Sequence, residues 1–205
     1  MIRSRQNQKM QHIAFGATAC VIAGAIIGGA TASARDMRPP VAALNDQRAA
    51  PTAAPADSQN LADAVERWSQ ENPGTGPGLP VTSEATDLMS GLGRGSDTLT
   101  AFRTDRGDVC FHIRGAGTCG RVDTPTGITF AVLSTRSGGS RVYGVAADQV
   151  KRVEVRLGDV IGDAVFRNNG FFYQLPEGLS SIDISAVTAV WRDGSAHAFP
   201  LPVRG

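Results

Sequence analysis

The chain has 205 residues, enough for one or two domains, and 41% of them are hydrophobic, which is sufficient for a packed core. Its formal net charge is +1, and no block of like charge stands out. A nearly neutral chain lacks the basic surface that nucleic-acid binding requires, so the composition argues against a nucleic-acid partner. The 24 glycines are typical of a chain rich in loops.

The first 34 residues have the pattern of an export segment. A basic start, "MIRSRQNQKMQH", precedes 22 uncharged residues over 13–34, which end in the A-x-A-like signal of Ala32 and Ala34 before Arg35. Two interpretations are open. A signal peptide would be cleaved before Arg35, whereas an uncleaved anchor would span the membrane, because about 20 apolar residues cross a bilayer. Either interpretation places the rest of the chain outside the cytoplasm, secreted or anchored in the cytoplasmic membrane.

Residues 35–59 are rich in proline and alanine and contain few large apolar side chains. Such a segment cannot bury enough surface to offset the entropy lost on ordering. We therefore expect a disordered linker over 35–59, partly extended by its prolines.

A short helical segment and loop are expected over residues 60–95. Asn60 would cap a first helix, and Asn72 with Pro73 would end it. One apolar face is predicted for this helix, by which it would dock onto the following domain, with the spacing i, i+3, i+4, i+7 at Leu61, Ala64, Val65 and Trp68. The stretch "TSEATDLMSGLG" at 82–93 is interpreted as a second short helix that ends at Gly91.

The sequence changes character from residue 96. Residues 96–205 contain short runs of β-forming residues separated by glycine and Asp/Asn turns. Val153, Val155 and Leu157 alternate with polar residues, so that strand would have one buried face. Asp193-Gly194 is typical of a hairpin turn. Seven to nine short strands in about 110 residues predict an all-β sandwich domain over 96–205.

Cys110, His112 and Cys119 are the candidate chemical residues of this domain. In a strand Cys110 and His112 would share a face, so the three could supply a Cys₂His set for zinc or copper. The chain has no CxxC motif and no second Cys/His cluster. In an oxidising compartment two cysteines that can approach each other usually pair, and "RGAGT" at 114–118 would be the turn between them. We therefore predict a Cys110–Cys119 disulfide, with no metal and no cofactor.

Other features give no catalytic site. The motifs GxSxG, SxxK and HExxH are absent, and His112 and His197 have no assigned catalytic partner. The tripeptide at residues 106–108, Arg-Gly-Asp, spells an adhesion motif but is also ordinary turn chemistry. The aromatic row at 171–173 would place its rings on both faces of a strand, one of them in the core, and we expect an edge region or the N-terminal helix to cover the other.

Four features resemble a class of small exported or membrane-anchored actinobacterial proteins with an immunoglobulin-like β-sandwich. They are the two cysteines, "VYGVAADQVKRVEVRL" at 142–157, "VFRNNGFF" at 165–172 and "VTAVWRDG" at 187–194. In such proteins a bend of the GVxxDxV type leads into an alternating strand, and an Asn-rich turn leads to an aromatic strand. The resemblance covers residues 100–199 and implies a fold and a location, but no activity.

The sequence thus predicts a non-enzymatic extracytoplasmic interaction or structural module at the cell envelope. Its partner would be an envelope protein or a surface polymer, and the membrane itself if the leader is not cleaved. The alternative is a small secreted enzyme or metal-binding protein that uses His112 with Cys110 and Cys119. A buried, paired Cys110 and Cys119 would favour the module, and a pocket that gathers His112, His197 and carboxylates would favour the alternative.

Overall fold

The computed structural model describes residues 41–45, 56–81, 85–93, 95, 97–114, 116–134 and 139–201. The predicted leader over 1–34, with Ala32 and Ala34, lies outside the described residues, as does Arg35. The predicted linker is described only at 41–45 and 56–59. The interpretation of the leader, as signal peptide or as anchor, therefore stays a prediction.

The described part of the chain is mainly β and forms three four-stranded antiparallel sheets. Sheet 1 has the order β1-β2-β3-β4, with strands Thr86–Leu92, Asp97–Arg103, Val109–Ile113 and Ala116–Gly120. Sheet 2 has the order β5-β6-β10-β9, with strands Ile128–Ser134, Ser140–Ala146, Gly170–Gln174 and Val165–Arg167. Sheet 3 has the order β12-β11-β7-β8, with strands Ala196–Pro200, Ile184–Trp191, Val150–Leu157 and Val160–Asp163.

Sheet 2 lies between the other two sheets and contributes to two separate cores. Successive side chains of a strand point to opposite faces. Tyr143 and Val145 of β6 accordingly pack with apolar residues of sheet 1, in what we call core 1. Val142 and Ala146 of the same strand pack with sheet 3, in core 2. Both faces of sheet 2 are therefore covered by other sheets.

The mainly β, antiparallel prediction is confirmed, but the strand and sheet counts differ from it. Within 96–205 the described residues hold eleven strands, β2 to β12, rather than seven to nine. With β1 they form three sheets, where a sandwich of the predicted kind has two. The additional strands are β1, which was predicted as a helix, β4, which overlaps the predicted turn, and the short edge strand β8. The hairpin predicted at Asp193-Gly194 is present, since β11 pairs with β12.

The first predicted helix is present, but it is longer than predicted and buries a different face. Helix α2 spans Ala56–Glu71, so it begins four residues before the predicted cap at Asn60, and it ends before Asn72 as expected. Its buried face carries Leu61, Ala62, Val65 and Ser69. Trp68 is 46% exposed and does not dock the helix, contrary to the prediction. The loop after α2 packs against the helix at Ser69, and that residue takes the place on the buried face assigned to Trp68.

The second predicted helix is wrong, because residues 86–92 form β1 and pair with β2. The apolar residues Leu88, Met89 and Leu92 are all buried in core 1. Register irregularities between Asp87 and Leu92 allow the neighbours Leu88 and Met89 both to face inward, which is the effect of a β-bulge. Pairing with β2 decides the structure here over local helical spacing. Strand β1 therefore belongs with the β domain, although it precedes the predicted boundary at residue 96.

Candidate functional site

The Cys110–Cys119 disulfide predicted from the sequence is present. The two residues lie directly opposite each other on β3 and β4, with their Cα atoms 4.0 Å apart. The predicted turn "RGAGT" is shorter in the structure, since β4 already begins at Ala116. Arg114 takes the left-handed backbone conformation with φ of 50°, as a tight hairpin connection requires. The disulfide therefore joins two paired strands at the edge of sheet 1.

Helix α2 covers this disulfide on the outer face of sheet 1. Leu61, Ala62 and Val65 of the helix form one apolar cluster with Phe102 and Cys110, and the partly buried Cys119 packs against it. Cys110 is fully buried. The sulfur atoms thus belong to the contact between a helix and a sheet, and the disulfide has a structural position.

The alternative ligand set of Cys110, His112 and Cys119 does not hold, because a disulfide offers no thiolate to a metal. His112 is buried on β3 beside Gly117 and close to Leu61 of α2. Among the described residues, no group of three or more His, Cys, Asp or Glu side chains is arranged to hold a metal ion.

His112 and His197 are not brought together by the fold. His197 lies on β12 of sheet 3, where its ring centroid is 5.3 Å from that of Trp191. His112 lies in sheet 1, on the face that α2 covers. The pocket that would have favoured an enzyme therefore does not form around these two histidines.

The Arg-Gly-Asp tripeptide lies in a turn, and its arginine stabilises the neighbouring loop. The Arg106 guanidinium donates to the carbonyls of Gly76 at 2.9 Å and Pro73 at 2.5 Å, which fastens the loop after α2. Partial burial raises the pKa of Asp108 above its usual range, against the lowering effect of Arg121. Gly78, with φ of 97°, lies so close to Asp105 that any side chain there would clash. Arg106 and the loop after α2 thus make contacts within the domain.

A buried carboxylate connects sheets 1 and 2. Asp97 begins β2, and its side chain is 1% exposed. It accepts a hydrogen bond from Arg141 Nη1 of β6 at 2.6 Å and another from Arg114 Nε. The Arg141 side chain is 12% exposed, so this ion pair is largely withdrawn from water. The two sheets around core 1 are therefore held together by charge as well as by apolar contact.

A short segment of the predicted linker is seated on the β domain, contrary to the expectation of disorder at those positions. Helix α1, Ala42–Asn45, lies against β1 and β2. Val41 is 0% exposed and Leu44 is 5% exposed, and both belong to core 1. Burial of these two apolar residues favours the ordered segment despite its poor composition. We call the surface that residues 41–45 contact, formed by β1, β2, Asp148 and Asn169, the α1 groove.

Two polar side chains hold the start of α1 from distant parts of the chain. The Ala42 N–H donates to Asp148 Oδ1 at 2.8 Å, and the Ala43 N–H donates to Asn169 Oδ1 at 3.2 Å. Asn169 Nδ2 in turn donates to Asp148 Oδ1 at 2.9 Å and to the Ala146 carbonyl at 3.1 Å. The two residues thus form a single polar clamp at the rim of the α1 groove.

Both clamp residues lie in turns that are recognisable in the sequence, but the sequence does not connect the two turns. Asp148 belongs to the GVxxDxV bend and Asn169 to the Asn-rich turn. Available signals were the spacing of Val41 and Leu44 and the paired asparagines, a residue type that tolerates the positive φ found at Asn168 and Asn169. That the bend, the turn and the linker meet is a property of the tertiary structure alone.

The aromatic row at 171–173 is covered on both sides, but by the two flanking sheets rather than by an edge region or the N-terminal helix. Phe171 is fully buried in core 2, Phe172 is buried in core 1, and Tyr173 packs against core 2. This row is therefore no surface for a ligand.

Comparisons with known proteins add no family, since no family model, no curated protein and no solved structure matches the chain. Among the described residues, no helix is both long enough and apolar enough to cross a bilayer.

Proposed function

We propose that the chain is a non-enzymatic extracytoplasmic module that serves interaction or structure at the cell envelope. The observation that carries this proposal is the Cys110–Cys119 disulfide. Structural disulfides form and persist in oxidising compartments and are rare in the cytosol. A disulfide in the body of the chain thus agrees with the export pattern of its first 34 residues.

The proposed role is recognition rather than catalysis. The two cysteines are bonded to each other, and the histidines lie in separate sheets. The partner in this proposal is an envelope protein or a surface polymer, or the membrane if the leader is an anchor. The immunoglobulin-like sandwich of the exported actinobacterial type, predicted over 96–205, is part of this proposal.

A test of location combines protease access with thiol mass labelling in cells that express the full chain. We expect external protease to degrade the β domain in intact cells. A matched variant without residues 1–34 serves as the cytosolic control. A wild-type product that is protected as fully as this control would refute the export proposal.

The same cells separate the two interpretations of the leader. After alkylation without reductant, a cleaved product should carry no label, because cleavage before Arg35 removes Cys20 and the other two cysteines are paired. An anchored product should carry one label, at Cys20. Labels on Cys110 and Cys119 in the native exported protein would contradict the observation on which the proposal depends.

A further inference from the structure

The α1 segment contributes two side chains to core 1 but, in other respects, resembles a bound peptide. It has four helical residues, too few for an isolated helix to be stable in water. Within the segment, the Leu44 N–H donates to the Val41 carbonyl at 3.0 Å. Its other contacts described above are made to β1, β2, Asp148 and Asn169. Its conformation is therefore imposed by the groove.

The polar rim of the groove is fixed by the β domain itself. Asn169 is held by its bonds to Asp148 and to the Ala146 carbonyl. The neighbouring Asn168 donates to the Leu88 carbonyl at 3.3 Å and so ties the same turn to β1. These bonds do not involve α1, so the two acceptors would keep their positions without it. A preorganised site of this kind binds without having to order itself first.

The burial pattern of residues 41–44 defines which peptide sequences fit the groove. Val41 and Leu44 are buried, Ala43 packs partly against core 1, and Ala42 is exposed. The sequence motif that the groove would recognise is therefore an apolar residue, any residue, a small residue and a second apolar residue. Two successive backbone N–H groups of the turn must also be free to donate to Asp148 and Asn169.

We propose that the α1 groove is a peptide-binding site and that residues 41–45 are its resident ligand. A turn of the same chemistry supplied in trans binds once the resident segment is withdrawn. This inference gives the ligand class of the interaction role proposed above and rests on that role. Peptide binding is measured on purified protein, however, so it can fail or succeed independently of the export experiment.

The test uses the full chain with Val41→Ser and Leu44→Ser together, and a dye-labelled synthetic peptide of residues 38–48. The matched control is Ala42→Ser, which changes the same segment at an exposed position. A tethered ligand acts at an effective concentration on the order of millimolar and so competes strongly in the wild type. We expect the double variant to bind the peptide at least about tenfold more tightly than the wild type or Ala42→Ser do. A peptide with serine at both anchor positions should not bind.

Equal affinity of the wild type and the double variant for the peptide would overturn the proposal. A double variant that folds but does not bind the peptide would overturn it as well. If the double variant does not fold, a second form of the full chain keeps the test decisive. A protease site is inserted between residues 50 and 51, and the chain is cut after folding. Displacement of the released fragment by excess 38–48 peptide supports the groove as a binding site. Loss of the fragment with no peptide uptake overturns it.

Discussion

The parts of the molecule built on sheet 1 and on sheet 3 are stabilised in different ways, although both pack on sheet 2. Sheet 3 relies on alternating apolar side chains such as Val153 and Val155, both fully buried, and its ion pair Arg152–Glu154 is at the surface. Around sheet 1 lie a disulfide, the buried Asp97–Arg141 pair and two docked helices. Strand β4, "AGTCG", has small side chains that supply little apolar area, which explains why sheet 1 depends on these additional interactions.

The largest effect that separates the two parts is expected from Asp97→Asn. The substitution removes the charge that compensates Arg141 in a largely buried position. Breaking one partner of a buried pair costs about 3–5 kcal/mol, since the other charge is left uncompensated. The free energy of unfolding from denaturant titration should fall by that amount.

An exposed pair provides the matched control for this measurement. Arg121 and Asp123 form an ion pair whose side chains are 45% and 44% exposed, and the hydrogen bond from Arg121 lowers the pKa of Asp123. Because water screens such pairs, Asp123→Asn should cost less than about 1 kcal/mol. Equal losses for the two variants would remove the distinction between buried and surface charge on which the comparison depends.

The next largest effect is expected from replacing Cys110 and Cys119 together by serine. The disulfide closes a loop with a sequence separation of nine residues, which restricts the unfolded chain. Its loss should lower the free energy of unfolding by roughly 2–3 kcal/mol. Reductant should destabilise the wild type and leave the double variant unchanged. A wild type that melts identically with and without reductant would show that the bond contributes nothing to sheet 1.

A smaller effect is expected from Asp148→Ala at the rim of the α1 groove. The substitution removes the acceptor for the Ala42 N–H and for Asn169 Nδ2. Loss of a helix cap of this type costs about 1–2 kcal/mol. Hydrogen exchange should quicken at residues 42–44, while β7 and β11 of sheet 3 keep their protection. Uniform loss of protection in both parts would mean that the clamp supports the whole domain.

The smallest effect at neutral pH is expected from Tyr143→Phe. The Tyr143 hydroxyl donates to the Ala116 carbonyl at 2.8 Å, across core 1, and its loss should cost about 1 kcal/mol. Burial raises the pKa of Tyr143 from 10.0 to about 12. The folded state thus holds the phenol proton more tightly than the unfolded state, so this contribution is complete below pH 10.

The same contribution should disappear as the pH rises towards about 12, and the wild type should lose its advantage over Tyr143→Phe in that range. Denaturant titrations of both proteins at several alkaline pH values test this. The chain has two tyrosines, so in a Tyr173→Phe background tyrosinate absorbance reports Tyr143 alone. Ionisation of Tyr143 near pH 10 in the folded protein would contradict the buried position.

Strand β7 and the β11–β12 hairpin of sheet 3 were predictable from the sequence, because their patterns are local. Val153, Val155 and Leu157 face inward as their alternation predicted, and the turn at Asp193-Gly194 joins β11 to β12. Spacing and turn chemistry are sufficient for these local features, but the pairing of β7 with β11 joins strands that are distant in the sequence and was not predicted. The disulfide was predicted for a similar reason, since Cys110 and Cys119 lie in adjacent strands of one hairpin.

Strand β1 and the α1 groove were not predictable in the same way, because contacts outside each segment decide its conformation. Residues 86–92 satisfy helical spacing but are held extended by β2. Val41 and Leu44 are ordered by core 1 and by residues more than a hundred positions away. No single stretch of sequence contains the partner that decides its conformation, and Asp148 and Asn169 looked like ordinary turn residues for that reason.

The disulfide also limits how far the chain extends when its two ends are pulled apart. Tension applied across sheet 1 passes from Cys110 to Cys119 through the sulfur atoms and bypasses the residues between them. With at most about 3.6 Å per extended residue, this shortens the stretched chain by roughly 30 Å. The β3–β4 hairpin remains a closed ring under a load that would open the other hairpins. In a single-molecule pulling trace, reductant should therefore add a short, discrete increment of length.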